Sequence, residues 1–267
     1  MMRDITIGQY YPADSILHRL DPRVKFVSTL VYIISLFVFS SWVGYGVAAL
    51  FLVAMIVLSK VPFGFMVKGL KPIMVLLLIT MFFNLVFTPG EVLWSFWILK
   101  ITKEGIRLAI KMGIRLVFLI IGASIMTLTT TPNQLTDGLE RLLRPLNKIH
   151  VPVHEIAMMM SIALRFIPIL MEETDKIMKA QMARGADFEN GNLIQKVKNM
   201  VPLLVPLFIS AFRRANDLAM AMEARCYHGG DGRTKLHELR YARRDWTAYI
   251  LGACMLAGVI VLRQFGL

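Results

Sequence analysis

Five stretches of this chain are apolar enough to form helices that cross a membrane, and they constrain its fold more than any other feature. A transmembrane helix needs about 20 mostly apolar residues. The five stretches, of which the second is short, are 24–41, 44–59, 72–88, 105–130 and 246–263. Hydrophobic residues make up 56% of the chain and charged residues 18%, against about 45–50% and about 25% in soluble domains. The sequence therefore predicts an all-α integral membrane protein with about five transmembrane helices.

The positions of the basic residues predict the orientation of these helices, because Lys and Arg are concentrated in cytoplasmic loops. Basic residues precede or begin the first stretch and separate the second from the third: Arg3, Arg19, Arg23, Lys25, Lys60, Lys68 and Lys71. The turn at 41–44 carries no charge, and the charges in the loop after the third stretch cancel. We therefore expect a cytoplasmic N-terminus and an external C-terminus. Cytoplasmic loops also account for the net charge of +12, so we expect no nucleic-acid partner.

Segment 131–245 is too apolar for an ordinary loop and too charged to cross a membrane. An amphipathic helical pattern follows Pro132. Two long helical patterns come next, at 153–184 and 193–225, and each is apolar at its start and polar toward its end. The sequence therefore predicts three parts, which are a membrane domain at 1–130, a cytoplasmic coupling domain of amphipathic helices at 131–245, and a C-terminal transmembrane helix at 246–267.

The two long helical patterns end alike, with an arginine between small residues. Their last residues are Ala183, Arg184 and Gly185 in the first and Ala224, Arg225 and Cys226 in the second. The unsatisfied carbonyl groups at a helix C-terminus are partly negative, so an arginine is tolerated there. Small neighbours leave the guanidinium accessible, and its planar fork suits carboxylates or backbone carbonyls. The pattern predicts two docking points for a partner. The alternative for either arginine is an interaction with its own helix end.

The two arginines are 41 residues apart, and the same offset aligns two acidic residues with two basic ones. Glu172 and Glu173 fall on Arg213 and Arg214. Two long helices that cross near their middles would bring these opposite charges together. Our hypothesis is that the four residues lie at such a crossing and fix its register. The alternative is that they are solvated charges, worth less than about 1 kcal/mol per pair.

Several motifs in the chain resemble those of a known family, the T component of energy-coupling factor transporters (the CbiQ/EcfT family). The resemblance covers nearly the whole length. It rests on an N-terminal signature at 15–25, Leu-Thr-Thr-Thr-Pro at 128–132, Leu-Arg-Phe-Ile-Pro at 164–168, and the two arginine motifs at 183–185 and 224–226. The chain departs from the family pattern at Cys226, where glycine is commoner. Because cysteine is also small, we expect the docking geometry to be preserved.

The resemblance implies a coupling role in a prokaryotic cell membrane. Two coupling helices would cross in an X, and Arg184 and Arg225 would each dock one of two cytoplasmic ATPase subunits. The membrane portion would hold a substrate-binding S component for a vitamin or other micronutrient. ATP and Mg would be bound by the ATPases, with no cofactor in this chain. Arg165, Phe166 and Pro168 would support the first coupling helix or contact the S component.

Two other classes of function remain open. A stand-alone secondary transporter would use Arg107, Lys111 and Arg115, which form one stripe of a helix; the alternative is that they lie near the outer interface or pack against loop carboxylates. An intramembrane enzyme would need ionisable groups that face a cavity, and the apolar stretches contain no Asp or Glu. The chain has no phosphate-binding loop of the Gly-x-x-x-x-Gly-Lys-Ser/Thr type. We therefore predict no catalytic residues and no metal site, and the sequence does not identify the nutrient.

Overall fold

The computed structural model describes residues 10–39, 41–96, 99–186, 188, 193–230 and 238–264. Helices dominate this part of the chain. They are α1 (Pro22–Val38), α2 (Trp42–Ser59), α3 (Phe63–Lys68), α4 (Met74–Phe87), α5 (Lys103–Thr129), α6 (Pro132–Leu143), α7 (Val153–Ala183), α8 (Leu193–Ala224) and α9 (Arg243–Gln264). Short 3₁₀ turns at Lys71–Ile73 and Arg144–Ile149 precede α4 and follow α6. A two-stranded antiparallel hairpin, β1 (Val92–Phe96) and β2 (Leu99–Thr102), joins α4 to α5.

Five helical segments within the described residues are long and apolar enough to cross a membrane, which confirms the predicted class of fold. They are Trp42–Ser59, Phe63–Phe87, Lys103–Thr129, Val153–Ala183 and Arg243–Gln264. Four of them overlap predicted stretches. The first predicted stretch forms α1, a helix of 17 residues and about 26 Å, slightly shorter than the hydrocarbon core of about 30 Å.

Helix α7 also has the length and composition of a transmembrane helix, although the sequence pattern favours a cytoplasmic location for it. The first half of α7 has a composition typical of a transmembrane helix because the charges of α7 are concentrated in its second half. Between 153 and 170 the acidic and basic residues are Glu155 and Arg165. The cytoplasmic location of α7 stays a prediction.

Local signals in the sequence fix where several helices begin. The Asp21 side chain caps α1 by accepting a hydrogen bond from the Arg23 backbone N–H. The hydroxyl groups of Ser41 and Thr102 cap α2 and α5 in the same way. Thr131 and Gln134 exchange hydrogen bonds at the start of α6, an arrangement known as a capping box. Each cap supplies an acceptor for an N–H group that has no partner within its helix.

The chain forms two compact units. The first comprises Met1–Gly138 and Leu239–Leu267, and the second comprises Leu139–Glu238. In the first unit α1 packs against α5 and α9, and α2 packs against α5 and α9. Its core consists largely of aliphatic and aromatic side chains from these helices, including Leu36, Phe39, Leu52, Ile125 and Val259. In the second unit α7 packs against α8.

A polar network in the first unit ties the start of α9 to the start of α1. The Asp245 side chain is 1% exposed, and its two oxygens accept hydrogen bonds from the backbone N–H groups of Asp21 (2.9 Å) and Ala242 (2.7 Å). Asp21 in turn binds the Arg23 guanidinium, which lies 3.9 Å from the centroid of the Tyr241 ring. Burial alone would raise the pKa of Asp21, but hydrogen bonds from Arg23 outweigh it and lower that pKa. The carboxylate is therefore charged near neutral pH.

Candidate functional site

The end of α7 places Arg184 at the C-cap, the last residue before the chain leaves the helix. Gly185 follows with a φ of +91°, and its N–H donates to the Met182 carbonyl (2.9 Å). The Ala186 N–H donates to the Gln181 carbonyl (3.0 Å). These two hydrogen bonds define a Schellman motif, the ending that a residue in the left-handed conformation permits.

The end of α8 has the same motif, with Arg225 at the equivalent position. Cys226 has a φ of 55°, and its N–H donates to the Glu223 carbonyl (2.8 Å). The Tyr227 N–H donates to the Met222 carbonyl (3.1 Å). Cysteine therefore adopts the left-handed conformation that glycine adopts after α7. The likeness of the two endings extends from the sequence to the backbone hydrogen bonds.

Both arginines are exposed, as are the small residues beside them. Ala183, Gly185, Ala224 and Cys226 are all exposed. The short side chains directly beside each arginine leave room for another molecule. Among the residues that the structure describes, neither Arg184 nor Arg225 forms an ion pair. Each side chain is therefore accessible to a carboxylate or carbonyl group of another molecule.

The two endings predict opposite effects for exchanging their small residues. Cys226→Gly should stabilise the chain by about 0.5–1 kcal/mol, because glycine adopts the left-handed conformation without the cost that a Cβ imposes. Gly185→Ala should destabilise it by about 1 kcal/mol for the same reason. A Cβ at Gly185 would meet no atom within 4 Å, so the cost would be conformational only. Thermal unfolding of the purified variants measures both effects, and shifts of the same sign would contradict this account.

Of the two charge pairs that the sequence alignment predicts, the structure brings one into contact. The Arg214 guanidinium binds Glu173, with Nη2 at 3.0 Å and Nε at 3.2 Å from Oε2. The Ser210 hydroxyl donates to the other oxygen of Glu173. Glu172 and Arg213 are exposed and, within the described part of the chain, have no ion-pair partner. Neighbouring residues on a helix point about 100° apart, so when Glu173 faces α8, Glu172 does not.

The contacts between α7 and α8 show that the two helices run antiparallel. Glu173 contacts Ser210, and eight residues further along α7 the Gln181 amide donates to the Pro202 carbonyl (3.3 Å), eight residues back along α8. Arg184 follows Glu173 by eleven residues, and Arg225 follows Arg214 by eleven. Each arginine thus lies about 16 Å along its helix from the ion pair. Because the helices are antiparallel, the two ends point in opposite directions, roughly 30 Å apart.

The two segments that carry the arginines are suited to be stiff. Neither 174–183 nor 215–224 contains Pro or Gly, and both are rich in Ala and Met, which favour the helix. The prolines of these helices, Pro168, Pro202 and Pro206, all lie before the ion pair in their own helix. Proline removes a backbone hydrogen bond and bends a helix. Any bending is therefore located away from the segments that end in arginine.

A double-mutant cycle tests whether Glu173 and Arg214 fix the register of the two helices. Glu173→Arg and Arg214→Glu should each destabilise the second unit, because each places like charges side by side. The double swap should recover about 0.5–1 kcal/mol, since the pair is only partly buried. The measurement is the free energy of unfolding, together with assembly with partner proteins. Glu172→Arg with Arg213→Glu is the matched control and should be additive; additive damage in the Glu173 cycle would reject the hypothesis.

The Arg-Phe-Ile-Pro motif lies near the middle of α7. Arg165 and Pro168 are exposed and Phe166 is half-buried. Among the described residues Arg165 forms no ion pair. Pro168 lies inside the helix and cannot donate to the carbonyl one turn earlier. The role of these residues as a support or as a partner contact stays a prediction.

The basic stripe on α5 is engaged within the protein at its inner end. The Arg115 guanidinium donates to the Phe39 carbonyl (3.1 Å) at the end of α1 and lies 5.4 Å from the Phe37 ring centroid. Lys111 lies over the Trp42 ring, and Arg107 is exposed. This geometry favours a structural role for Arg115 over an anion path. In the described residues no group of three or more His, Cys, Asp or Glu side chains is placed to hold a metal ion.

Several contacts that build the site are not visible in the sequence. Ser210 is the one serine of the α8 sequence and no motif around it indicates a partner, yet its hydroxyl donates to Glu173. The left-handed conformation of Cys226 is a further example, because a non-glycine residue rarely adopts it. Its position directly after an arginine that matches Arg184 is the signal that could have identified it.

Together, the apolar helices and the two matching helix ends define a multi-span integral membrane protein that presents two exposed arginines. The chain matches a family described as cobalt transport protein, CbiQ, over residues 13–236. It is 57% identical to the energy-coupling factor transporter transmembrane protein EcfT of Clostridium kluyveri over 265 residues, 98% of each chain. It is 47% identical to the protein of the same name from Bacillus subtilis over 261 residues, 97% of this chain and 98% of the relative. The chain therefore belongs to the CbiQ/EcfT family.

Proposed function

We propose that this chain is the transmembrane coupling subunit of an energy-coupling factor importer. It transmits ATP-driven movement of two ATPase subunits to a membrane-embedded, substrate-binding S component. The observation that carries the proposal is the pair of helix endings with the same hydrogen-bond pattern, each with an exposed arginine at the C-cap. A protein with a single such end could use it to close its own helix. Two matching ends, on helices held together by an ion pair, suit two partners of the same kind.

The chemistry of each end favours docking into an acidic or carbonyl-lined groove. A guanidinium presents five donors in a fixed plane and remains charged at all physiological pH values. Small neighbouring residues such as Gly185 and Cys226 let the walls of a groove approach the guanidinium. A displaced ATPase would then move Arg184 or Arg225 together with the stiff helical segment behind it. The movement passes from one of these helices to the other at the contact between Glu173 and Arg214.

The S component is the second partner, and α8 offers a surface of suitable chemistry. Val201, Val205, Phe208 and Phe212 recur every three or four residues, so they lie along one face of the helix. Each is 48–66% exposed, and the rings of the two phenylalanines lie 4.8 Å apart. An uncovered apolar stripe of this kind is typical of an interaction surface. The stripe supports contact with a partner that is itself very apolar. The transporter that we propose takes up a vitamin or other micronutrient.

The proposal includes the arrangement of the chain in a prokaryotic cell membrane. The N-terminus and segment 131–245 lie in the cytoplasm and the C-terminus lies outside, in keeping with the positions of the basic residues. Segments 1–130 and 246–267 then form the membrane portion. ATP and Mg are bound by the ATPases, and this chain is a non-catalytic subunit without a cofactor of its own.

Affinity purification of the tagged full-length chain from its native membrane tests the proposal. We expect it to recover two ATP-binding proteins and one small, very apolar integral membrane protein. The chain reconstituted alone in vesicles should transport nothing, and the recovered complex should transport on addition of ATP. Recovery of the chain without these partners, or uptake by the chain alone, would overturn the assignment in favour of a secondary transporter.

A further inference from the structure

The first unit contains a half-open cavity of about 140 Å³ between α1, α2, α5 and α9. On each of these helices the first and last lining residues are seven residues apart, for example Lys25 and Tyr32 on α1 and Arg244 and Leu251 on α9. Seven residues of helix correspond to about 10 Å. The cavity is therefore elongated along the helices.

The charged groups of this cavity lie at one end of it. Lys25, Thr129 and Arg244 are found there, at the start of α1 and α9 and the end of α5, beside the aliphatic residues Ile16, Leu17 and Leu20 that precede α1. Phe51 and Leu251 lie at the other end. No acidic residue is found among the described residues that line it. A ligand that fits both ends has a negative head and an apolar tail.

Two cations, Lys25 and Arg244, line the polar end of the cavity. Lys25 is 7% exposed, and its Nζ donates to the carbonyls of His18 and Thr129. An ammonium has three donors, so one remains for a ligand. Arg244 is exposed and, in the described part of the chain, has no ion-pair partner. Asp21 and Asp245 both interact electrostatically with Lys25. Asp21 is paired with Arg23, and Asp245 uses both carboxylate oxygens to accept backbone N–H groups.

The polar end of the cavity lies at the level of an aromatic cluster. The rings of Tyr241, Trp246 and Tyr249 contact one another at the start of α9, within a few residues of Arg244. Trp and Tyr concentrate where the headgroups of a bilayer meet its hydrocarbon core. The polar end is therefore at headgroup depth, and the apolar end extends into the hydrocarbon.

We propose that this cavity binds an anionic phospholipid, with its phosphate between Lys25 and Arg244 and one acyl chain inserted between the four helices. The depth of the cavity matches the first part of an acyl chain and not a whole lipid. Leu58 and Leu251 line it and are 41% and 60% exposed, so the second acyl chain stays in the surrounding bilayer. The bound lipid links α9 to the rest of the first unit. The proposal does not depend on ATPase docking.

Native mass spectrometry of the full-length chain, released from detergent micelles, tests this proposal. The probes are phosphatidylglycerol and phosphatidylcholine with identical acyl chains. We expect one phosphatidylglycerol to be retained in preference to phosphatidylcholine. Arg244→Gln should weaken its binding roughly fivefold, the contribution of one basic residue at a headgroup. Arg243→Gln, which makes the same charge change at the adjacent exposed position, should leave binding unchanged.

Thr247→Trp tests the position of the acyl chain. Thr247 lines the cavity and is exposed, so an indole there fills space without disturbing the core, which far-ultraviolet circular dichroism checks. This variant should lose phosphatidylglycerol binding, and lysophosphatidylglycerol, with a single chain, should still bind the unsubstituted chain. Equal retention of phosphatidylcholine, displacement by inorganic phosphate or by oleate, equal effects of the two arginine variants, or normal binding by Thr247→Trp would each overturn the proposal.

Discussion

Replacing both Arg184 and Arg225 with glutamate is expected to abolish association with the two proposed ATPase subunits and, with it, ATP-driven uptake. Each arginine is exposed between two small residues at a helix end, so its guanidinium is accessible to a partner as a polar anchor. Anchoring arginines contribute about 2 kcal/mol or more to binding, which is about thirtyfold in affinity. Glutamate also introduces repulsion where the partner presents carboxylates. The single variants should each lose one ATPase and most uptake.

Co-purification and uptake assays on the complex measure this effect. Arg213→Glu is the matched control, because Arg213 is an exposed arginine on α8 that lies away from the helix end. It should assemble and transport normally. Arg184→Lys and Arg225→Lys should retain part of the activity, because lysine keeps the charge and loses the planar fork. Normal uptake by the double glutamate variant would refute the docking role.

Asp245→Ala is expected to give the largest loss of stability, about 2–4 kcal/mol in the free energy of unfolding. The substitution leaves the backbone N–H groups of Asp21 and Ala242 buried without an acceptor, and each such group costs about 1–3 kcal/mol. It also removes the link between the starts of α1 and α9. Denaturant unfolding of the purified chain in detergent measures the loss.

Two further substitutions separate this effect from a general one. Asp245→Asn keeps one side-chain oxygen as an acceptor, so its loss should be intermediate. Asp217→Ala removes an exposed aspartate from α8 and should change stability by less than about 0.5 kcal/mol. Equal unfolding transitions for Asp245→Ala and Asp217→Ala would show that the network does not hold the two helices together.

The membrane helices were predictable because they depend on local composition. Runs of apolar residues specify their own helices, and four predicted stretches overlap helices of transmembrane length. Helix α7 shows the limit of this argument. Its average composition is compatible with a membrane or a cytoplasmic location, because Glu155 and Arg165 are surrounded by apolar residues. Composition over a window does not record where along a helix the charges lie.

The site was predictable where the sequence repeats itself and unpredictable where distant segments meet. The matching arginine motifs and the offset of 41 residues pointed to both helix ends and to Glu173 with Arg214. The contact between Asp21 and Asp245 joins residues 224 positions apart, and no local pattern indicates it. The cavity between α1, α2, α5 and α9 likewise arises only when four separate helices pack together.

The equal spacing of the two arginines from the Glu173–Arg214 contact has a mechanical consequence. The antiparallel pair has two arms of the same length on either side of one contact. If two ATPase subunits dock at the arginines as proposed, equal forces in one direction exert opposing torques and shift the pair without rotating it, whereas unequal forces rotate it. Lengthening one arm by a helical turn would then increase the torque from the partner on that arm.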